Sequence, residues 1–212
     1  TADELLVPTG RGASLASVDT SGTVAWQVNQ FGPKFEYPVV LDDLVVAASE
    51  KLLYGFDRAT GRQEWRVTFD TRASPPPVVV GDRVVTAHED GQLQAFDTDG
   101  NRLWRRNPRQ EPAGTMAVDD ETLYVPSTDG IVVVRPGPVV ESLSLPPSIE
   151  LVDRLSLGSE LLYAVHGKDG RGAKQRVSAI DPQSPAVEWT VDFERAIRFG
   201  LSVDTGPRIV EG

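Results

Sequence analysis

Cysteine is absent from the 212 residues. That excludes disulfides, thiolate metal sites and a cysteine nucleophile. Histidine is nearly absent: His88 and His166 are the only two. A metal site wants three or four ligands, and neither histidine has carboxylates at a spacing that completes one. Both are expected to be exposed residues flanking turns. Basic residues are outnumbered, 21 Lys and Arg against 31 Asp and Glu, for a net charge of −10, and no basic run occurs. Repulsion from phosphate therefore argues against nucleic acid or an anionic membrane as partner. No run of about 18 apolar residues is present, so no segment reads as membrane-spanning. No signal peptide is visible either. A chain beginning at Thr1 reads as processed or excised, and its targeting is not legible.

What the chain does have is punctuation. It holds 19 Gly and 16 Pro, with abundant Val and 40% hydrophobic residues. Many short strands joined by turns fit that composition better than helices, and the apolar content suffices for a core.

Four phrases repeat along it. "SVDTSGTVAW" ends at Trp26, "GFDRATGRQEW" at Trp65, "AFDTDGNRLW" at Trp104 and "AIDPQSPAVEW" at Trp189. The first three tryptophans are 39 residues apart. The 85-residue gap before Trp189 has room for one unit that lacks Trp and one that is longer than average. "VVVRPGPVVESL" reads as the copy without Trp, with Leu143 in its place. Within residues 76–106, "PPVVV", "RVVTAH", "QLQAFD" and "NRLWRR" read as strands separated by "GD", "EDG" and "TDG" turns. Four short antiparallel strands in such a period describe one β-propeller blade.

In the phrases ending at Trp65 and Trp104 the Asp caps its own turn and the Gly supplies a positive φ: Asp57 with Gly61, Asp97 with Gly100. The pattern Ala-x-Asp-x-x-Thr-Gly-x-x-x-Trp resembles the tryptophan-docking motif of the quinoprotein-type (PQQ-like) β-propeller repeat family. Residues 55–65 match it with Gly for the leading Ala; residues 95–104 match with a shorter turn; residues 179–189 keep Ala, Asp and Trp but not Thr-Gly. The resemblance implies that Trp26, Trp65, Trp104 and Trp189 occupy equivalent buried positions between blades, each giving its N–H to a backbone carbonyl.

The expected fold is thus all-β, a propeller of four-stranded antiparallel blades in a single domain, 1–212. Its blades fall at roughly 4–28 with 197–212, 38–68, 76–106, 115–145 and 152–192. Residues 200–206 would close a five-bladed ring by pairing with the N-terminal blade. The alternative is a fragment of a seven- or eight-bladed propeller.

Chemistry-bearing motifs are few. "DTDGN" (97–101) opens like a calcium loop but lacks the distal Glu and sits where a hairpin is needed. "GKDGRGAK" (167–174) fails the phosphate-loop pattern and reads as a lengthened hairpin tip. "PPP" (75–77) reads as a linker between blades. In the blade meander, Asp42, Asp43, Asp82, Asp119, Asp120, Glu121 and Glu160 join Asp19, Asp57, Asp97 and Asp181 on one side, with mixed charge opposite. The long hairpin carries Lys168, Arg171, Lys174 and Arg176, the candidate partner-binding residues, suited to an acidic protein surface or a carboxylated ligand.

The resembled family includes dehydrogenases, assembly-factor lipoproteins and sensor domains, so fold alone does not choose among them. No catalytic residue, cofactor site or metal site is assigned. The dehydrogenases are longer, and many carry a vicinal cysteine pair that a cysteine-free chain cannot supply. The expectation is a non-catalytic scaffold, assembly-factor or sensor propeller, extracytoplasmic by resemblance, with protein partners; a small-molecule ligand is left open. A fragment of a quinone-dependent dehydrogenase is the alternative.

Overall fold

A computed structural model describes residues 4–9, 14–29, 38–119, 121–135, 140–147, 149, 152–167, 175–184 and 186–193. All nineteen named elements are strands, and they pair only with sequence neighbours in antiparallel sheets. The chain divides into two compact units, residues 1–109 and 110–212.

The first unit holds three sheets. Glu4–Thr9 (β1), Ser14–Asp19 (β2) and Val24–Asn29 (β3) form a three-stranded one. Val39–Leu41 (β4), Leu44–Ser49 (β5), Leu52–Asp57 (β6) and Gln63–Thr68 (β7) form a complete blade. Val78–Val80 (β8), Arg83–Ala87 (β9), Leu93–Phe96 (β10) and Arg102–Arg106 (β11) form another. The second unit holds two. Ala117–Asp119 (β12), Thr122–Ser127 (β13), Gly130–Val134 (β14) and Val140–Leu143 (β15) make one blade. Val152–Leu157 (β16), Leu162–His166 (β17), Gln175–Ile180 (β18) and Val187–Phe193 (β19) make the other. The proposed closing segment 197–212 lies outside the described residues.

Position within the blade explains the strand composition. The second strand is covered on both faces, so it reads as a continuous apolar run rather than an alternation. In β5, Val45 and Ala47 join a cluster with Leu15, Trp26, Tyr54 and Phe56. Val46 and Ala48 point the other way, into a cluster with Leu53, Phe69, Val84 and Phe96. The fourth strand borders solvent, and in β7 it alternates, burying part of Trp65 and Val67 and exposing the residues between. In the second unit Tyr124, Ile131, Val133, Leu155, Leu162 and Ile180 form the corresponding core.

Candidate functional site

The hairpins between third and fourth strands are built by their aspartates. Asp57 Oδ1 accepts from Thr60 N at 2.8 Å and from Thr60 Oγ1 at 2.5 Å. Asp97 Oδ1 accepts from Asp99 N at 3.0 Å and Asn101 N at 2.8 Å. Asp19 Oδ1 accepts from Ser21 N at 2.8 Å, Ser21 Oγ at 2.6 Å and Thr23 N at 2.9 Å. These bonds favour the charged carboxylate. The Ser21 hydroxyl holds Asp19 below the usual range, and the Thr60 hydroxyl does so for Asp57. At Asp97 burial pushes upward, but the bonds from Asn101, Asp99 and Gly100 together outweigh it and the carboxyl also ends lower. The "DTDGN" segment is therefore a hairpin, its aspartate committed to the turn backbone.

Two tryptophans seat on these hairpins. Trp26 Nε1 donates to the Arg58 carbonyl at 2.7 Å, and Trp65 Nε1 to the Thr98 carbonyl at 2.7 Å. Their rings lie over Gly61 and Gly100, where an added Cβ would sit 2.6 and 2.7 Å from the indole. Beneath each tryptophan, across its own hairpin, is a small residue: Ser17 under Trp26, Gly55 under Trp65, Ala95 under Trp104, Ala179 under Trp189. All four pairs are followed by a register shift. Arg58 ties the same joint from another side through its ion pair with Glu4, which also accepts from Ser17 Oγ at 2.9 Å.

The four tryptophans do not share one level of burial. Trp26 is 8% exposed and Trp189 is 43% exposed, with Trp65 and Trp104 intermediate. The Arg106 guanidinium lies 5.8 Å from the Trp104 ring. A tryptophan's own strand provides only the small residue below it; full burial needs a neighbouring hairpin above. The blade lacking Trp also differs from expectation. Val133 pairs with Tyr124 as Ala95 pairs with Val85, and across the following hairpin Val133 pairs with Glu141, so Glu141 rather than Leu143 stands in the tryptophan's place. Leu143 pairs with Ile131.

The histidines overturn their expected exposure: both are buried. They belong to a row at the end of each blade's second strand, Ser49, His88, Ser127 and His166, all buried and 39 residues apart. The chain linking blades crosses this end of the sheet, as Ala73 N to Glu50 O at 2.8 Å, Ser74 N to Ala87 O at 2.9 Å and Ala113 N to Pro126 O at 2.9 Å show. The polar side chains at His88 and Ser127 serve the linker. His88 Nδ1 lies 3.4 Å from the Thr71 carbonyl, so Nδ1 carries the proton. Its Nε2 lies 3.0 Å from Thr86 Oγ1 and 3.3 Å from Gln94 Nε2. Burial lowers the His88 pKa, opposed by the Thr71 carbonyl and Asp90. Ser127 Oγ donates to Gln110 Oε1 at 2.7 Å on the other linker. His166 Nε2 lies 2.8 Å from Ser178 Oγ, which in turn lies 2.7 Å from Thr190 Oγ1. The 39-residue spacing was available to mark this row; each residue taken singly carries no such signal.

Of the candidate partner-binding residues, Lys168, Arg171 and Lys174 lie outside the described residues. Arg176 belongs to strand β18 and not to a loop, because the cross-strand register starts at Gln175. Its Nε pairs with Asp192 Oδ1 at 2.7 Å. The turns joining first to second and third to fourth strands do lie side by side in the blade β4–β7, where Arg58 N donates to the Asp43 carbonyl at 2.8 Å. Within the second unit a cleft of about 330 Å³ is lined by Ser127, Asp129, Leu145, Pro146, Pro147 and Ile149, among others. Its single carboxylate has no ionisable partner in the lining, so it offers no acid–base pair. Among the described residues no three His, Asp or Glu side chains are grouped to hold a metal.

Known proteins resemble this arrangement. The family model described as outer membrane protein assembly factor BamB matches residues 11–146, more than half the chain. The outer membrane protein assembly factor BamB of Nitrosomonas eutropha is 36% identical over 95 residues, 44% of this chain and 21% of that protein. The crystal structure of BamB from Moraxella catarrhalis superposes with TM-score 0.63 at 20% identity, over 89% of this chain and 58% of that one. The computationally designed protein Ika8 superposes with TM-score 0.74 at 13% identity, over 92% of this chain and 60% of that one. This chain thus spans about a fifth of the length of that curated relative and about three-fifths of the two solved structures. With its docking hairpins, its four-stranded blades and a family match across residues 11–146, the chain belongs to the BamB-like family of PQQ-type β-propeller repeats.

Proposed function

We propose that the chain is a non-catalytic propeller module that binds protein partners outside the cytoplasm, as part of an assembly factor for outer membrane proteins. The match of residues 11–146 to the assembly-factor family carries this reading. The distribution of polar groups supports it. The turn aspartates hold hairpins and the buried histidines hold strand ends, so the ionisable chemistry described above is structural. The net charge of −10 disfavours phosphate-bearing partners. Lys168, Arg171 and Lys174 remain the proposed contacts, because three bases close together in the sequence of an acidic chain would attract an acidic protein segment.

The test is photo-crosslinking in cells from positions 168, 171 and 174, with captured proteins identified by mass spectrometry. Recovery of outer membrane proteins, or of proteins that insert them, is expected. Replacing residues 168–174 with Asn-Gly should reduce that capture without changing the circular dichroism. Quinone absorbance and dye-linked oxidation by the purified chain, after loading with quinone and calcium, would overturn the reading.

A further inference from the structure

Strand β11 departs from the repeat in its charge. The cross-strand register lets the outer strands be compared place by place. Arg102 pairs with Phe96, and the same place in the other sheets holds Val24, Gln63, Val140 and Val187. Arg106 pairs with Leu93, and its place elsewhere holds Val28, Val67, Leu143 and Val191. Four sheets thus form with neutral residues at both places, so a blade does not require these arginines. Arg105 lies between them opposite Gln94, and Arg109 follows just after the strand. Four arginines therefore fall within residues 102–109 of a chain whose net charge is −10.

None of the four is in an ion pair among the described residues, whereas Arg58, Arg62, Arg83 and Arg135 each have a carboxylate partner. Arg102, Arg105 and Arg109 are exposed, and Arg106 is half-buried. Arg106 is held in place: its guanidinium lies over the Trp104 ring, and Nη1 donates to the Arg105 carbonyl at 3.1 Å. Arg109 sits in a fixed turn, its backbone N–H donating to Asn107 Oδ1 at 2.8 Å. The register shift at Ala95 and Phe96 leaves Leu103 without a cross-strand partner. It also puts Arg102 on the side of the sheet shared by Arg105. Leu103, between them in the chain, is 50% exposed. β11 is the last strand of its sheet and belongs to an internal blade, with four-stranded sheets before and after it in the chain.

We propose that β11 and the turn after it are a docking surface for an acidic protein segment in which carboxylates alternate with apolar side chains. The guanidinium groups of Arg102, Arg105 and Arg109 donate to its carboxylates. Leu103 takes an apolar side chain between them. The charge of the strand sets the sign of the partner, and Leu103 sets its kind, since a phosphate backbone has nothing apolar to offer an exposed leucine. A nucleic acid or an anionic bilayer would also present its charge to the whole acidic chain, not to one strand. Each contact is exposed, so it is weak singly and sensitive to salt. The inference is independent of residues 168–174 and of the assembly-factor reading.

Fluorescence anisotropy with a labelled peptide of alternating Glu and Leu, titrated with the whole chain at low salt, tests it. The peptide should bind, and more weakly as salt is raised. Arg102→Gln and Arg105→Gln should each weaken binding about threefold, and the double variant about tenfold, with circular dichroism and melting unchanged. Leu103→Ser should weaken it as well, and the same peptide with Gln for Glu should not bind. Lys168→Gln, Arg171→Gln and Lys174→Gln together should leave the affinity nearly as it was. A Glu peptide that does not bind at low salt overturns the proposal. So does binding that ignores the β11 arginines, or that is lost with the three changes at 168–174 instead. An oligonucleotide, or vesicles of anionic lipid, bound more tightly than the peptide and through the same arginines would overturn a protein segment as the occupant.

Discussion

A methyl group on Gly61 would sit 2.6 Å from the indole of Trp26, with Gly61 already at φ +71°. The glycine thus answers two demands: a turn conformation and a flat seat for a ring from the preceding sheet. Gly22 has the same kind of φ, +84°, with nothing near its Cβ position. Gly61→Ala is expected to cost about 2–4 kcal/mol, adding overpacking to the strain of a positive φ. Gly22→Ala should cost only about 1 kcal/mol, the backbone part alone. Urea unfolding of both variants measures the difference; equal losses would mean that Trp26 does not rest on Gly61.

The tryptophans should separate by what covers them. Trp26→Ala is expected to cost about 3–5 kcal/mol, and Trp65→Ala a value near the lower end of that range. Trp189→Ala should cost clearly less than Trp26→Ala, since the ring is already 43% exposed where Trp26 is 8% exposed. A loss at Trp189 as large as at Trp26 would show that the exposed face is covered in solution.

The blades were legible because their signals are local and periodic. Gly, Asp and Pro mark turns at fixed intervals, and a tryptophan marks each outer strand except in the blade ending at β15. There the two later hairpins are each one residue shorter than in the preceding blade, so counting 39 residues from Trp104 reaches Leu143 while the pairing selects Glu141. The histidines were misread for a different reason. A polar residue beside a turn is usually solvated, and its burial here comes from a linker crossing the strand end, a contact between segments that lie 17 residues apart at His88 and Thr71. Arg176 looked like part of a loop because "GKDGRGAKQR" gives no strand alternation, yet the ladder to β19 begins one residue before it.

Gly55 replaces the family's alanine, and the structure gives a reason. It pairs directly with Trp65, and a Cβ there would lie 2.2 Å from the indole. Gly55→Ala restores the family pattern, and is nonetheless expected to destabilise the chain by about 1–3 kcal/mol through overpacking. Trp65 cannot tilt away cheaply while its N–H holds the Thr98 carbonyl at 2.7 Å. Thermal melts decide this. A stabilised Gly55→Ala chain would show that the indole has room to move and that the glycine is incidental.

His88 should make the first unit sensitive to mild acid. Its ring is fully buried between Phe69 and the Thr86–Gln94 pair, with the Phe69 ring edge-on at 4.5 Å. Burial lowers its pKa, while the Thr71 carbonyl and Asp90 act in the opposite sense and Arg105 adds to the lowering. Protonating Nε2 would also leave two donors, that nitrogen and the Gln94 amide, facing each other. An unfolded histidine titrates near pH 6.5, so the folded state binds the proton more weakly than the unfolded state. The stabilising effect is therefore complete above about pH 6.5 and declines as the pH falls, by at most about 1.4 kcal/mol per pH unit for one group. The turn aspartates are lowered too, but they lose their contribution only as the pH falls below the ordinary carboxylate value, near 3.8. Stability measured by urea unfolding between pH 7.5 and 5 should thus fall in the wild type. His88→Gln should be less stable at pH 7.5 yet show a flatter slope, because the group that titrates has gone. An unchanged slope in that variant would place the pH-sensitive group elsewhere.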